Sequence, residues 1–386
     1  MRSRVSIPWS ALVLPVGLAA CRADIAREPQ PQPDSLSAVA VSAARIPPLD
    51  SIPLPKTDSV RPQPTVVDTA FARRQLTQDS AVQLVVTSRL PERTQQDSIS
   101  LVAVIRQGLR HPGWPVSGPE PLPGAILPSR RIVAFYGNPL SKRMGILGEL
   151  PPERMLARLA EVAAEWQAAD PGVPVQPALH LVAITAQPNA GKDSLYRQRM
   201  DSALIQRVYD WARQHQAILF LDIQAGRSTV QRELPHLLSW LARPDVHLAL
   251  DPEFYMHGSS AGSRPGSKVG TMDAADVNEA IATLGELVTR HQLPPKVLVI
   301  HRFSAGMLRN VDKIRLDPRV QVVNNMDGWG QPWHKFDSYA ICQVAEPVQF
   351  TGFKLFFRHD TRKGDPLLTP QEVLSLRPRP LYVQYQ

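Results

Sequence analysis

From Arg131 to the last residue, short runs rich in Val, Ile, Leu and aromatic residues alternate one for one with segments whose apolar residues recur at helical spacing. A chain written this way has few options. Strict alternation of β and α builds a parallel sheet with helices as the crossovers. The strand-like runs are Ile132–Gly137, Leu179–Thr185, Ala217–Gln224, Val246–Glu253, Lys296–Arg302, Val320–Asp327, Gly352–Arg358 and Leu381–Tyr385. Eight runs in roughly 255 residues is the size of a (β/α)8 barrel of TIM type. An open doubly wound sheet is the competing arrangement. No G-x-G-x-x-G or P-loop follows the first run, which counts against the nucleotide-binding version of that sheet.

The helical segments carry apolar residues at i, i+3, i+4 and i+7. Met155, Leu156, Leu159, Val162 and Trp166 mark the first; Leu204, Val208 and Trp211 the second; Leu234, Leu237, Leu238 and Leu241 the third. Val277, Ile281, Leu284, Leu287 and Val288 mark the fourth. A fifth is expected to start at Ser304, and a shorter one surrounds Tyr339 and Ile341. The last opens with Thr369-Pro370-Gln371-Glu372, a capping box with proline in the first turn.

Ahead of this domain the text is different. The chain has 38 prolines in 386 residues, and they crowd its first third. Residues 21–128 contain PQPQPD, IPPLDSIPLP and VRPQP, which read as a mostly disordered tether. Such an arm of about 105 residues reaches roughly 55 Å. Two apolar patches interrupt it, Ala81–Val86 and Ile99–Ile105, and partial order is favoured for the second. Residues 1–20 have Arg2 and Arg4, then an apolar stretch from Ile7 to Leu18, then Ala19 and Ala20. That order of charge, apolar run and small residues is a secretory signal peptide. The expected organisation is thus 1–20 signal, 21–128 tether and 129–386 barrel.

Leu18-Ala19-Ala20-Cys21 resembles the lipobox of bacterial lipoproteins. The resemblance implies cleavage before Cys21, acylation of its thiol and attachment to a lipid bilayer in the bacterial cell envelope. Two or three acyl chains hold a protein on a membrane stably. Arg22 follows; in Gram-negative lipoproteins a residue other than aspartate there permits outer-membrane sorting. The net charge of +8 suits an anionic surface such as a membrane or cell wall. No basic patch interleaved with aromatics occurs, so nucleic acid is not an expected partner. With Cys21 and Cys342 as the two cysteines, a disulfide scaffold, a four-cysteine zinc site and a CxxC redox motif are excluded.

Parity locates the chemistry. Side chains alternate along a strand, so in a barrel one parity faces the helices and the other the lumen. Leu248 and Leu250 belong under the helices, which turns Asp251 and Glu253 inward. Leu219, Leu221 and Ile223 place Phe220, Asp222 and Gln224 inside; Leu298 and Ile300 do the same for His301. Asn325 and Asp327 share one parity, and Lys354, Phe356, Arg358 and Asp360 another. Tyr136 and Asn138 finish the first run, and Thr185 the second. The polar residues all fall at C-terminal strand ends, the catalytic face of this fold. Buried charges are expensive unless paired, so the cluster is either a working site or a structural ion-pair network.

Asp251 and Glu253 stand two apart on one run, about 6.5–7 Å between Cβ atoms. Two close carboxyls resist joint ionisation, so one rises in pKa and suits protonation of a glycosidic oxygen. Asp251-Pro252-Glu253 resembles the D-x-E ending of strand four in (β/α)8 glycoside hydrolases, including chitinase-like and muramidase-like families. The resemblance implies Glu253 as the acid and Asp251 as its orienting partner. The further aspartates of the chitinase pattern are replaced by Ala249 and Val246. From Arg131 onward the chain also resembles an uncharacterised family of secreted bacterial proteins and lipoproteins, which brings no activity with it.

Asp222, His301 and Asp327 complete the expected catalytic group. Tyr136, Asn138, Gln224, Tyr255, Asn325, Trp329, Arg358 and Asp360 are the candidate substrate contacts, with aromatics Phe254, Tyr255, Trp329 and Trp333 placed to stack on sugars. A Gly- and Ser-rich loop from His257 to Met272 borders the same face. The expected partner is a cell-wall or surface glycan, with no cofactor and no resident metal. Two other classes stay open. One is a metal-dependent hydrolase or phosphodiesterase using Asp222, Asp251, Glu253, His301 and Asp327 on a hard divalent ion, with Lys354 and Arg358 for phosphate. One imidazole among many carboxylates does not suit a standard zinc site. The other class is a glycan-binding lipoprotein without turnover.

Overall fold

The computed structural model describes residues 93–386. The signal segment, Cys21 and most of the proline-rich stretch lie outside the described residues. Eight parallel strands close on themselves: β1 Arg131–Gly137, β2 Val175–Ala186, β3 Ile218–Ile223, β4 Val246–Leu250, β5 Lys296–Arg302, β6 Val320–Met326, β7 Phe350–Leu355 and β8 Tyr382–Tyr385. Ile132 pairs with Gln176 on one side and with Tyr382 on the other, which is the seam that shuts the sheet into a barrel. The open-sheet alternative is thereby excluded, and the fold is an α/β (β/α)8 barrel.

Closure sorts the apolar residues into two separate cores. Inside the barrel lie Ile132, Ala134, Ala178, Ile218, Phe220, Ala249, Val297, Val299, Val323 and Tyr382. Outside, under the helices, lie Val133, Phe135, Leu219, Leu221, Leu248, Leu250, Leu298, Ile300, Phe353 and Leu355. The two sets alternate along each strand, as the pleat requires. Leu127 enters the lumen from below, where Gln321 accepts the N–H groups of Ile126 and Leu127 and donates to the Leu127 carbonyl.

The crossovers follow the periodicity with two exceptions. Helices Pro152–Ala169, Ser202–Gln214 and Ala274–His291 form where the apolar stripes stand. Thr369 caps Pro370–Leu374 with Glu372 closing the box. The third segment is broken into Val230–Glu233, a 3-10 turn Leu234–Leu237 and Leu238–Leu241. Pro235 explains the break, since it has no N–H to donate and its ring crowds the preceding turn. No regular helix starts at Ser304. Short 3-10 turns, Ala305–Met307 and Val311–Lys313, stand there instead, separated by Asn310 at φ 56°.

Structure also reaches back before the barrel. Helix Gln95–Arg110 contains the Ile99–Ile105 patch and begins with a Thr94–Asp97 capping box. Leu101 and Val104 are buried in the outer core, and the helix packs on helix Pro332–Tyr339. Arg93 pairs with Glu372 at 2.6 Å, and Asp97 accepts the Trp333 N–H at 2.9 Å. Gly108 is needed for this docking, because a Cβ there would lie 1.8 Å from the Arg377 carbonyl oxygen.

Candidate active site

The polar residues inside the barrel form two storeys. In the lower one, β2 and β3 bring His180 and Asp222 together, and β5 brings His301. His180 Nε2 and His301 Nε2 each lie 3.5 Å from Asp222 Oδ2, and all three side chains are fully buried. The His180 ring stacks on Phe220 with centroids 5.4 Å apart and 12° between planes. Its Nδ1 is 2.7 Å from the Tyr382 hydroxyl, which in turn accepts from Gln384 Nε2 at 2.9 Å. Burial lowers the His180 imidazole to about 4. Burial works in the same direction on His301, but the charges of Asp222 and Asp327 overcome it and raise that imidazole.

The upper storey is the mouth. Asp327, at the exit of β6, lies 2.9 Å from His301 Nδ1 through one oxygen and 2.8 Å from Lys354 Nζ through the other. Lys354 also sits 3.8 Å over the face of the Tyr136 ring. Burial alone would raise the Asp327 carboxyl; Lys354 and His301 reverse that and hold it at about 2. Gln224 donates to Asp251 Oδ2 at 3.0 Å and to the Tyr136 hydroxyl at 3.2 Å, while its own oxygen accepts the Ala186 N–H. Asp251 is enclosed, and burial drives its carboxyl well above the usual range, with Asp222 and Glu253 adding to the rise against His301.

Glu253 arrives in the mouth by a different route from the expected one. Strand β4 stops at Leu250, and residues Pro252–Phe254 form a 3-10 turn capped by Asp251. Asp251 Oδ1 accepts the Glu253 N–H at 3.1 Å. The turn leaves Glu253 half-buried, where burial and then the charge of Asp327 raise its carboxyl to about 7 against Lys354 and His301. Asp222, Asp251, Glu253, His301 and Asp327 are therefore one connected electrostatic cluster.

Several candidate contacts do other work. Tyr255 is turned by the same 3-10 segment toward helix Ala274–His291, where its hydroxyl donates to Asp276 at 3.0 Å. Arg358 is exposed and pairs with Glu149 outside the lumen, because β7 ends at Leu355 and parity no longer applies. Asp360 is buried as a loop pin: it pairs with Lys335 at 2.9 Å and accepts the Gly330 and Phe356 N–H groups. Asn138 donates to the Val182 carbonyl and accepts the Leu140 N–H, which fixes the turn after β1. Asn325 is in the lumen, its amide oxygen against Gly352. Trp329, two residues beyond Asp327, is 60% exposed beside His359.

Sequence reasoning missed His180, Tyr382, Gln384 and the pairing of Lys354 with Asp327. For His180 the signal existed. Leu179 and Leu181 face the helices, which turns the residue between them inward. Parity counted back from Thr185 does not reach His180, because a register shift between Val182 and Ile184 separates the two.

No protein-family model matches the chain. No curated protein matches it either. Among solved structures it is similar to a ruminal GH26 endo-beta-1,4-mannanase, at 11% identity and a TM-score of 0.28, over 76% of this chain and 63% of the mannanase chain. It is also similar to the signal recognition particle 54 kDa protein of Aeropyrum pernix K1 in complex with GDP, at 12% identity and a TM-score of 0.20, over 79% of this chain and 57% of that one. The chain thus spans less than two thirds of the length of either. The fold and site rest on the chain's own strand pairing and side chains.

Proposed function

We propose that the barrel is a glycan hydrolase of carboxylate acid/base type, with Glu253 as the acid and Asp327 as the ionised partner. The observation that carries this reading is the unlike setting of two carboxyls in one mouth: Asp327 is paired with Lys354 at 2.8 Å and His301 at 2.9 Å, which hold it low, whereas Glu253 stands on the Asp251-capped turn, where burial raises it. Carboxyls pushed apart in this way divide into a proton donor and a charged partner. Protonated Glu253 would give its proton to the glycosidic oxygen, and Asp327 would face the positive charge that develops on the sugar. Asp251 acts through Glu253, whose turn it caps. Glu253 is half-buried at the mouth, whereas Asp327, Asp222, His301 and Asp251 are buried. Exposed Trp329 offers a flat ring at the rim for a sugar face.

The leader and Leu18-Ala19-Ala20-Cys21 support a lipid-anchored protein of the bacterial envelope acting on a cell-wall or surface glycan. Reducing-end release from a panel of envelope polysaccharides tests the activity. Turnover abolished in Glu253→Gln supports the reading; binding without turnover in the wild type would favour a lectin-like lipoprotein. Cys21→Ser should move the protein from the membrane to the soluble fraction, and retention on the membrane would refute the anchor.

A further inference from the structure

Below the proposed acid and its partner, the lower storey of the barrel contains atoms that the hydrolase reading does not use. His180 Nε2, His301 Nε2 and both Asp222 oxygens have no hydrogen-bond partner among the described residues. All three side chains are fully buried. Leaving a buried polar group unpaired costs about 1–3 kcal/mol, and more for a charged one. Three buried side chains with such atoms, one ligand atom of each within 4.8 Å of the others, therefore call for an explanation.

Direct ion pairing does not supply it. Charge-assisted N–H···O bonds run about 2.7–2.9 Å, whereas both imidazole nitrogens stop 3.5 Å from Asp222 Oδ2. That spacing matches something else. With metal–ligand bonds of about 2.0–2.1 Å, two ligands of a tetrahedral ion lie about 3.3–3.4 Å apart. Ligand atoms of His180, Asp222 and His301 all fall within 4.8 Å of one another.

The outer contacts of both rings agree with this geometry. His301 Nδ1 faces the Asp327 carboxylate at 2.9 Å. His180 Nδ1 faces the Tyr382 hydroxyl at 2.7 Å. His180 Nδ1 also lies 3.0 Å from the Gln384 amide nitrogen, so each Nδ1 has a polar neighbour within 3.0 Å while each Nε2 lies 3.5 Å from Asp222. Ligating histidines are held in this way, with the second nitrogen bonded to a carboxylate or another oxygen. Gln384, bonded to Tyr382, buttresses the His180 side.

We infer that His180, Asp222 and His301 form a binding site for one divalent first-row transition ion of the zinc class. Two imidazoles with one carboxylate select such an ion over Mg²⁺ or Ca²⁺, which prefer all-oxygen shells. The site needs no residue of the proposed acid turn and meets the hydrolase reading only at Asp327, which contacts His301 Nδ1, so a change at Glu253 separates the two.

The test is metal analysis of the purified full chain, followed by removal with a chelator and titration with Zn²⁺ against a chromophoric competitor. One Zn²⁺ per chain is expected, not displaced by a large excess of Mg²⁺ or Ca²⁺. Asp222→Asn should weaken binding by about 100-fold or more, and the His180→Ala, His301→Ala double variant should abolish it. Should those variants misfold, Co²⁺ loaded into the wild-type chain gives an independent measure: an intense tetrahedral-type visible spectrum, bleached by Zn²⁺. Glu253→Gln should keep full Zn²⁺ stoichiometry, so failure of the hydrolase reading and failure of this one are distinguishable. Absence of tight Zn²⁺ binding by the wild type, a folded Asp222→Asn that binds as tightly, or displacement by Ca²⁺ would overturn the site.

Discussion

The carboxyl of Asp251 accepts the backbone N–H of Glu253 at 3.1 Å. The two acids are therefore not neighbours on a strand; one caps the turn that carries the other. Burial raises the Asp251 carboxyl, and the two bonds it makes, from the Glu253 N–H and the Gln224 amide, both need an acceptor oxygen. Asp251→Asn should hence change stability by less than about 1 kcal/mol, while Asp251→Ala should cost roughly 1–3 kcal/mol by orphaning the Glu253 N–H and the Gln224 amide. Chemical denaturation of both variants checks this. Equal losses would show that the acceptor is not what matters.

Lys354 is the cation that Asp327 cannot lose. With both enclosed and 2.8 Å apart, Lys354→Met leaves a carboxylate with His301 as its remaining charged partner. Removing one member of a buried pair costs about 3–5 kcal/mol. The variant should also raise the Asp327 carboxyl from about 2, because the first cation holding it down is gone. A melting temperature unchanged from wild type would refute the pairing.

The helix that precedes the barrel is tested in the same way. Leu101 is buried against the outer core, so Leu101→Ala should destabilise the whole domain by about 2–5 kcal/mol. If Gln95–Arg110 behaved as a free arm, the substitution would leave thermal unfolding unmoved. Protease should spare this helix along with the barrel.

Much of the architecture is legible from alternation alone. Leu219-Phe220-Leu221-Asp222-Ile223-Gln224 declares both its faces, and β3 and β5 carry Asp222 and His301 into the lumen as parity requires. Parity fails where the strand ends. Beyond Leu250 and Leu355 the backbone turns, and Tyr255 and Arg358 leave the mouth while Glu253 enters it by way of the turn. It fails again at the register shift in β2, which puts Thr185 and His180 out of step. The apolar patch Ile99–Ile105 marks order inside the proline-rich stretch, and the helix extends beyond it on both sides, from Gln95, where the Thr94–Asp97 capping box starts it, to Arg110. Partner identity is the least legible layer. Lys335 with Asp360, or Lys354 with Asp327, depends on how loops from different strands meet.

The measurement that bears most directly on Glu253 is the pH dependence of kcat/KM for hydrolysis of an envelope polysaccharide, in wild type and Glu253→Gln. A general acid works only while protonated. With its carboxyl raised to about 7, the wild-type rate should be held at acidic pH and fall as pH rises through that value. Glu253→Gln cannot release a proton, so its rate should drop by about 10²–10⁴ and the limb near 7 should vanish, with the fold intact. A Gln variant within a few-fold of wild type, or one that keeps the same basic limb, would contradict the assignment of Glu253 as the acid.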